Sequence, residues 1–214
     1  MTIPEVIQKR KIIEAVHFTT HTGLLGTLHS RALKSRERLP GELDLKYIYK
    51  PNADFRKDTA WLDHVNLSIS HINSEFFNVS CRWHRARDLW WCILAFDPII
   101  LTHEGVYFTT TNNMYTGVTR GTGASGLDRL FGRCIERWTG NTVVRAGDLP
   151  DCMTTCVQAE ALYPGEVPIK FLKRIYVLTG EDQDEVHAQM NVYDLEGVEV
   201  LIDPAKFGRV RVRS

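Results

Sequence analysis

A glutamine and a glutamate separated by one alanine, Gln158-Ala159-Glu160, open an apolar stretch of this chain. On a strand, residues i and i+2 project from one face, so the amide and the carboxylate would lie side by side. When nicotinamide leaves NAD⁺, its ribose becomes an oxocarbenium-like cation, which a carboxylate at the 2′-hydroxyl can stabilise while an amide orients the nucleophile. The alternative is a strand edge with two polar residues facing solvent.

A histidine and a threonine, His17 and Thr19, follow a β-like Ala-Val pair and precede a short helical pattern. Alternation along a strand places both on one face, where they could hydrogen-bond a ribose or a carboxamide. Gly26, within the helical pattern, would let the backbone approach a ligand closely. The alternative for His17 is a core histidine whose hydrogen bonds are satisfied within the protein.

Arginines stand in two further segments. Arg56 lies in a long polar segment, residues 40–59, and its planar fork of donors suits a pyrophosphate or a polarised base. The run R-W-H-R, with Arg82 and Arg85, combines basic and aromatic side chains, which favours nucleic acid because bases stack on exposed indoles. The alternatives are an ordinary loop arginine and a solvated surface.

The length and composition indicate one soluble globular domain over residues 1–214. The sequence shows neither an export signal nor a stretch apolar enough to span a membrane, so we expect a cytoplasmic location. The five cysteines are scattered and no zinc spacing is complete, which predicts reduced thiols and no metal. Net charge is zero, so any nucleic-acid contact must be local.

Strand patterns outnumber helical ones. Strands are predicted at residues 15–19, 65–69, 89–96, 106–110, 158–163, 175–178 and 198–202, which are rich in β-branched and aromatic residues. Helices are predicted at residues 23–32, 127–138, 169–174 and 182–190 from apolar spacing. Because the two types do not alternate regularly, we expect a mixed α+β fold and not a doubly wound sheet.

Three segments in order resemble the DarT family of bacterial DNA ADP-ribosyltransferase toxins: V-H-F-T-T from residue 16, C-I-L-A-F-D-P-I-I-L-T-H-E-G-V-Y-F-T-T-T-N-N-M-Y from residue 92, and Q-A-E-A-L-Y-P-G-E-V-P from residue 158. The resemblance extends from about residue 16 to about residue 190. It implies a compact ADP-ribosyltransferase fold, a split, twisted β-sandwich with peripheral helices and a central NAD⁺ cleft.

The resemblance also implies roles for particular residues. His17, Thr19 and Gly26 would contact NAD⁺, and Arg56 would be the catalytic arginine that also orients the co-substrate. Glu160 would be the essential glutamate, with Gln158 beside it, and residues 109–157 would recognise the substrate. The implied partners are single-stranded DNA and a macrodomain-type antitoxin that removes the modification.

The target base is thymine or guanine in this family. The chain departs from thymine-modifying members at V-N-L-S-I-S from residue 65 and at Asn112-Asn113-Met114. The amides of Asn66, Asn113 and Gln158 would suit a purine edge at least as well as thymine, which favours guanine. Alternatives on the same fold are modification of RNA or protein, or a non-catalytic module that binds nucleotides or nucleic acid.

Overall fold

The computed structural model describes residues 1–39, 59–84 and 89–208, which contain twelve strands and five α-helices. The strands are β1 (Ala15–Thr20), β2 (Ala32–Lys34), β3 (His64–Ile69), β4 (Trp91–Phe96), β5 (Tyr107–Thr109), β6 (Arg120–Thr122), β7 (Cys134–Trp138), β8 (Asn141–Val144), β9 (Glu160–Pro164), β10 (Glu166–Pro168), β11 (Leu172–Val177) and β12 (Glu199–Ile202). The helices are α1 (Ile3–Lys9), α2 (His21–Ser30), α3 (Ser74–Trp83), α4 (Gly123–Arg129) and α5 (Gly180–Val192). The predicted α+β class is confirmed.

Eight strands form one open sheet in the order β12-β11-β4-β1-β3-β9-β5-β6. Neighbouring strands are antiparallel except β11 and β12, which are parallel. All of β4 is buried, which explains its continuously apolar sequence, because both of its faces pack against protein. The β2–β10 and β7–β8 pairs form separate two-stranded ribbons.

The sheet is split at its centre, between β1 and β3. β1 pairs with β4 at six positions, and β3 pairs with β9 at four. β1 and β3 pair with each other only at Ala15/Ile69 and Val16/Ser68. Beyond Val16 the ladder between β1 and β3 ends, so the two strands have no further backbone pairing with each other.

Each face of the sheet has its own apolar core. The helices α1, α2, α4 and α5 cover one face through buried side chains that include Val6, Leu24, Leu28, Leu127 and Val186. The opposite face packs against α3 and the 3₁₀ helix Pro204–Phe207, where Val16, Phe77, Trp91 and Phe207 are buried together. Burial of these apolar faces stabilises the sheet and fixes which strand residues point to which side.

Helix ends follow local capping chemistry. Thr2 and Glu5 form a capping box at α1, and Thr179 and Asp182 form another at α5. Thr20 caps α2 by accepting the N–H of Gly23. Because Thr20 is the last residue of β1, the turn from β1 into α2 has no connecting loop.

Two helix predictions are wrong. The segment 127–138 is helical only to Arg129, and Cys134–Trp138 forms β7, in which Ile135 is buried between exposed neighbours. Pairing with β8 supplies its backbone hydrogen bonds, so a two-residue period replaced the apparent helical one. Residues 169–174 form a 3₁₀ turn (Ile169–Phe171) followed by β11, because pairing with β4 and β12 outweighs the short helical pattern.

Both α1 and α3 lay outside the predicted helices. The other helix predictions correspond to α2 and α5, and each predicted strand overlaps an observed one. The polar segment 40–59 lies outside the described residues except for Thr59. No helix in the described part of the chain combines the length and the apolar character needed to cross a bilayer.

Candidate functional site

Glu160 is the first residue of β9, and its carboxylate is held from two sides. Asn66 on the adjacent β3 donates Nδ2–H to Oε1 at 2.9 Å, and the backbone N–H of Asn113 donates to Oε2 at 2.8 Å. Hydrogen bonds to an ionised carboxylate are short and strong. The two donors therefore fix the orientation of Glu160 before any ligand binds.

Asn113 is itself fixed by Arg120 on β6. The guanidinium donates Nε–H to Asn113 Oδ1 at 2.8 Å and Nη2–H to the Asn113 carbonyl at 2.9 Å. Its Cζ lies 5.3 Å from the ring centroid of Trp61, in a cation–π contact. The preceding residue, Asn112, accepts the N–H of Met114 with its Oδ1 at 2.9 Å, which forms an Asx turn. The loop that faces Glu160 is thus shaped by its own side chains.

His17 bridges the central split. Its Nδ1 lies 2.8 Å from the backbone carbonyl of Asn66. A carbonyl only accepts hydrogen bonds, so Nδ1 carries the proton. This side-chain bond stands where the β1–β3 backbone ladder has ended, and it connects His17 to the residue that holds Glu160.

The predicted NAD⁺ residues and the glutamate point to opposite faces of the sheet. Alternation from the buried residues places His17 and Thr19 toward α2, and Asn66 and Glu160 toward α3. The His17–Asn66 hydrogen bond connects the two groups at the place where the β1–β3 ladder has ended.

Thr19 and α2 approach each other unusually closely. A Cβ on Gly23 would lie 2.0 Å from Thr19 Oγ1, so this position accepts glycine alone without a shift. Gly26 is buried in the middle of α2, where its carbonyl accepts a hydrogen bond from Ser30. Glycine at position 23 thus allows α2 to pack directly on the strand that carries His17.

Gln158 lies just before β9, which begins only at Glu160, so the predicted strand does not extend back to this residue. The preceding turn buries Gln158, and its Nε2–H donates to Glu75 Oε2 on α3. The same carboxylate oxygen accepts Nη2–H of Arg137 at 2.6 Å, and Thr111 donates to Gln158 Oε1 at 3.5 Å. Gln158 therefore connects the segment before β9 to α3 and, through Glu75 and Arg137, to the β7–β8 hairpin.

Of the three predicted arginines, the structure describes only Arg82. Arg82 is exposed on the last turn of α3. Arg56 and Arg85 fall outside the described residues. Asn112 forms the Asx turn that follows it, through the N–H of Met114. Within residues 1–39, 59–84 and 89–208, no group of three or more His, Cys, Asp or Glu side chains could hold a metal ion.

Sequence reasoning missed Glu75, Arg120 and Arg137. Glu75 lies 83 residues from Gln158, and Arg137 lies 62 residues from Glu75, so no local pattern connects them. Arg120 is seven residues from Asn113 in a segment read only as a glycine-rich loop. The Asn112-Asn113 pair was the one local signal, since asparagines in a turn organise nearby backbone groups.

Comparison with known proteins identifies the family to which this chain belongs. A family model described as "ssDNA thymidine ADP-ribosyltransferase, DarT" matches residues 16–208. No curated protein sequence matches the chain significantly. The family match confirms the predicted resemblance and the predicted class of enzyme, an ADP-ribosyltransferase that uses NAD⁺.

Solved structures share the fold. DarT of Thermus sp. 2.9 in complex with NAD⁺ has a TM-score of 0.63 and 14% identity, covering 92% of this chain and 98% of that one. The same protein in complex with ADP-ribosylated ssDNA gives a TM-score of 0.62 at 14% identity, covering 92% and 96%. DarTG of Thermosipho africanus in complex with ADP-ribose gives 0.54 at 14% identity, covering 91% and 51%. The predicted ADP-ribosyltransferase fold is confirmed.

Proposed function

The chain belongs to the DarT family of single-stranded DNA ADP-ribosyltransferases, and we propose that it transfers ADP-ribose from NAD⁺ to a DNA base with Glu160 as the catalytic carboxylate. The observation that carries this proposal is the carboxylate of Glu160, which Asn66 and Asn113 fix close to the place where the β1–β3 ladder ends. A carboxylate anchored in this way is preorganised for a positive charge that develops next to it.

The residues of the site fit NAD⁺ by their chemistry. NAD⁺ supplies an activated N-glycosidic bond, which breaks so that nicotinamide departs with the electron pair while a base nitrogen bonds to ribose C1′ and loses its proton. Glu160 accepts a hydrogen bond from the ribose 2′-hydroxyl and stabilises the positive charge on the ribose. Its two fixed hydrogen bonds keep the carboxylate from rotating away as that charge develops.

His17, Thr19 and Gly26 form the NAD⁺ side of the site in this proposal. His17 is held by its bond to the Asn66 carbonyl, so its ring orientation is set before NAD⁺ binds. α2 starts directly after β1, and its buried Gly23 and Gly26 leave the helix close to the strand. The family resemblance supports a further role for Arg56, in orienting NAD⁺ and activating the base. Complexes of the Thermus relative hold NAD⁺ and ADP-ribosylated ssDNA, which supports both substrates.

The target base is a finer part of the proposal. The polar groups that favoured guanine are largely engaged within the protein: Asn113 Oδ1 accepts from Arg120, and Gln158 Nε2 donates to Glu75. Asn113 Nδ2 is buried without a partner in the described part of the chain, but it suits a carbonyl oxygen, which both bases carry. The family description names thymidine, so we propose thymine as the target base, with guanine as the alternative that the test must separate.

Single strands are the proposed form of the substrate. In a duplex the ring N–H of the base is paired, and extruding the base costs a few kcal/mol. With a net charge of zero the protein lacks a broad positive surface to offset that cost. We also propose a macrodomain-type antitoxin as partner, supported by the family and by the likeness to a DarTG chain about twice as long.

The test is transfer to defined oligonucleotides. The purified protein is incubated with NAD⁺ and single strands that lack either guanine or thymine, and nicotinamide release and the mass of the DNA are measured. Gain of one ADP-ribose by the guanine-free strand alone supports thymine, whereas gain by the thymine-free strand alone supports guanine. Modification of RNA or protein in place of DNA, or NAD⁺ binding without release of nicotinamide, would overturn the proposed reaction.

A further inference from the structure

We infer that Trp138, backed by Arg137 and Tyr115, is a stacking site for a nucleotide next to the target base, a role that rests on the proposed function. These three residues are called the Trp138 surface below. Trp138 ends β7, at a point where a β-bulge interrupts the pairing with β8. Bulges change the direction of side chains and are frequent beside active sites.

The indole of Trp138 is presented to solvent and held in place. The residue is 42% exposed, although tryptophan is usually well buried. Arg137 Cζ lies 5.0 Å from its ring centroid, and the ring of Tyr115 meets it edge-on at 5.2 Å and 78°. Two contacts that orient an exposed aromatic ring reduce the entropy it loses when a second ring stacks on it.

Two independent routes place the Trp138 surface beside Glu160. Along the chain, Tyr115 follows Asn113 by two residues, at most about 7 Å between Cα atoms, and Asn113 donates directly to Glu160. Across the fold, Arg137 contacts Glu75, and Glu75 accepts from Gln158, two residues before Glu160. The surface is thus within reach of a short strand whose target base lies at Glu160.

The chemistry of this surface fits a base and not a phosphate. The Arg137 side chain is 16% exposed, and its charge is already paired with Glu75, so it acts on the ring and not on solvent. Indole faces stack on any base without hydrogen-bond readout. We therefore expect binding that needs a flanking base but tolerates its identity.

The experiment scans abasic sites along a single-stranded oligonucleotide with one target base. Transfer by the wild-type enzyme, Trp138→Ala and Trp138→Phe is measured as kcat/KM for each strand. In the wild type, one abasic position close to the target should lower kcat/KM by about tenfold, the scale of one stacking contact. Trp138→Ala should lose about tenfold on the intact strand and become insensitive at that position, while Trp138→Phe keeps most of both.

Val144→Ala is the matched control, because Val144 is a 60% exposed apolar residue at the other end of the same hairpin. It should stay within about twofold of the wild type. Equal abasic profiles for the wild type and Trp138→Ala would overturn the stacking site and leave the enzyme assignment standing. The scan of the wild type needs no variant, so a flat profile there overturns the site even if Trp138→Ala fails to fold. No transfer to any intact strand overturns the proposed function and the site together.

Discussion

Asn113 donates its backbone N–H to Glu160 at 2.8 Å, while Arg120 donates hydrogen bonds to both the side chain and the carbonyl of Asn113. The geometry of the Glu160 carboxylate thus depends on an arginine that acts through Asn113. Because the donor is a backbone N–H, no substitution at position 113 except proline removes it. The position of this N–H depends on the contacts that hold the loop. Arg120, itself exposed, is the residue through which this placement can be tested.

Arg120→Gln should lower kcat by about tenfold, with KM for NAD⁺ and DNA changed less than twofold. The loss of both bonds to Asn113 lets its N–H drift from Glu160, and one preorganised charge-assisted hydrogen bond is worth roughly 1.5–3 kcal/mol. Arg120→Lys should recover only part of the rate, because an ammonium cannot form the paired contacts of a guanidinium. Steady-state kinetics check this.

Arg133→Gln is the control for Arg120, since Arg133 is an exposed arginine whose described hydrogen bond is through its backbone. It should leave the rate unchanged. A fall in melting temperature for Arg120→Gln that matches its loss of rate would point to a general structural role instead.

Glu160→Gln should reduce transfer by roughly 10²–10³ or more while leaving the fold intact, because the neutral amide no longer stabilises the charge on the ribose. Mass analysis of the DNA and nicotinamide release report the rate, and circular dichroism reports folding. Glu196→Gln, at an exposed glutamate near β12, should behave as the wild type. Near-normal transfer by the Glu160 variant would refute its role.

His17→Ala should weaken NAD⁺ binding by about tenfold and single-stranded DNA binding by much less. The substitution removes the imidazole, and with it the proposed contact with NAD⁺ and the hydrogen bond to the Asn66 carbonyl. Each hydrogen bond contributes about 0.5–1.5 kcal/mol. Calorimetry with each ligand separates the two affinities. Equal losses, together with a lower melting temperature, would identify His17 as a structural residue only.

Gly23→Ala should destabilise the protein by about 1–3 kcal/mol, because the added methyl group would meet Thr19 Oγ1 at 2.0 Å and force α2 away from β1. NAD⁺ affinity should fall as well, since Thr19 is displaced. Gly147→Ala is the control, as its Cβ would meet nothing within 4 Å. Urea unfolding measures both, and unchanged midpoints for Gly23→Ala would contradict the close approach.

Stability should fall as the pH drops below about 6.5 because of His71. Burial and then the charge of Lys206 lower the pKa of His71, against the opposing charges of Glu14 and Asp203. The unfolded chain therefore binds more protons than the folded one below its own pKa, so stability is present above that value and is lost on acidification. His71→Gln should flatten the dependence of the urea midpoint between about pH 7.5 and 5.5.

His187→Gln, at an exposed histidine on α5, is the control for the pH experiment and should keep the wild-type slope. The same slope in His71→Gln would show that other groups govern the acid sensitivity.

The sequence by itself determined the strands at the centre of the sheet. Continuous apolar or β-branched runs gave β1, β3, β4 and β9, because a strand buried in a sheet requires such side chains wherever its neighbours lie. The Q-A-E and H-F-T elements carried local chemistry that needs no distant partner to be recognised. The family resemblance then ordered these elements, and the family match confirms it.

Only the tertiary structure decided how the carboxylate is held and where the hairpin lies. Glu160 is fixed by Asn66, 94 residues away, and by Asn113, 47 residues away, and such contacts leave no periodic trace in the chain. The segment 127–138 shows that a local pattern can also mislead. Its apolar spacing fits a helix, but pairing with Asn141–Val144 supplies the hydrogen bonds that make its second half a strand. A local pattern indicates which side chains of a segment can be buried, whereas the whole fold determines which element packs against them.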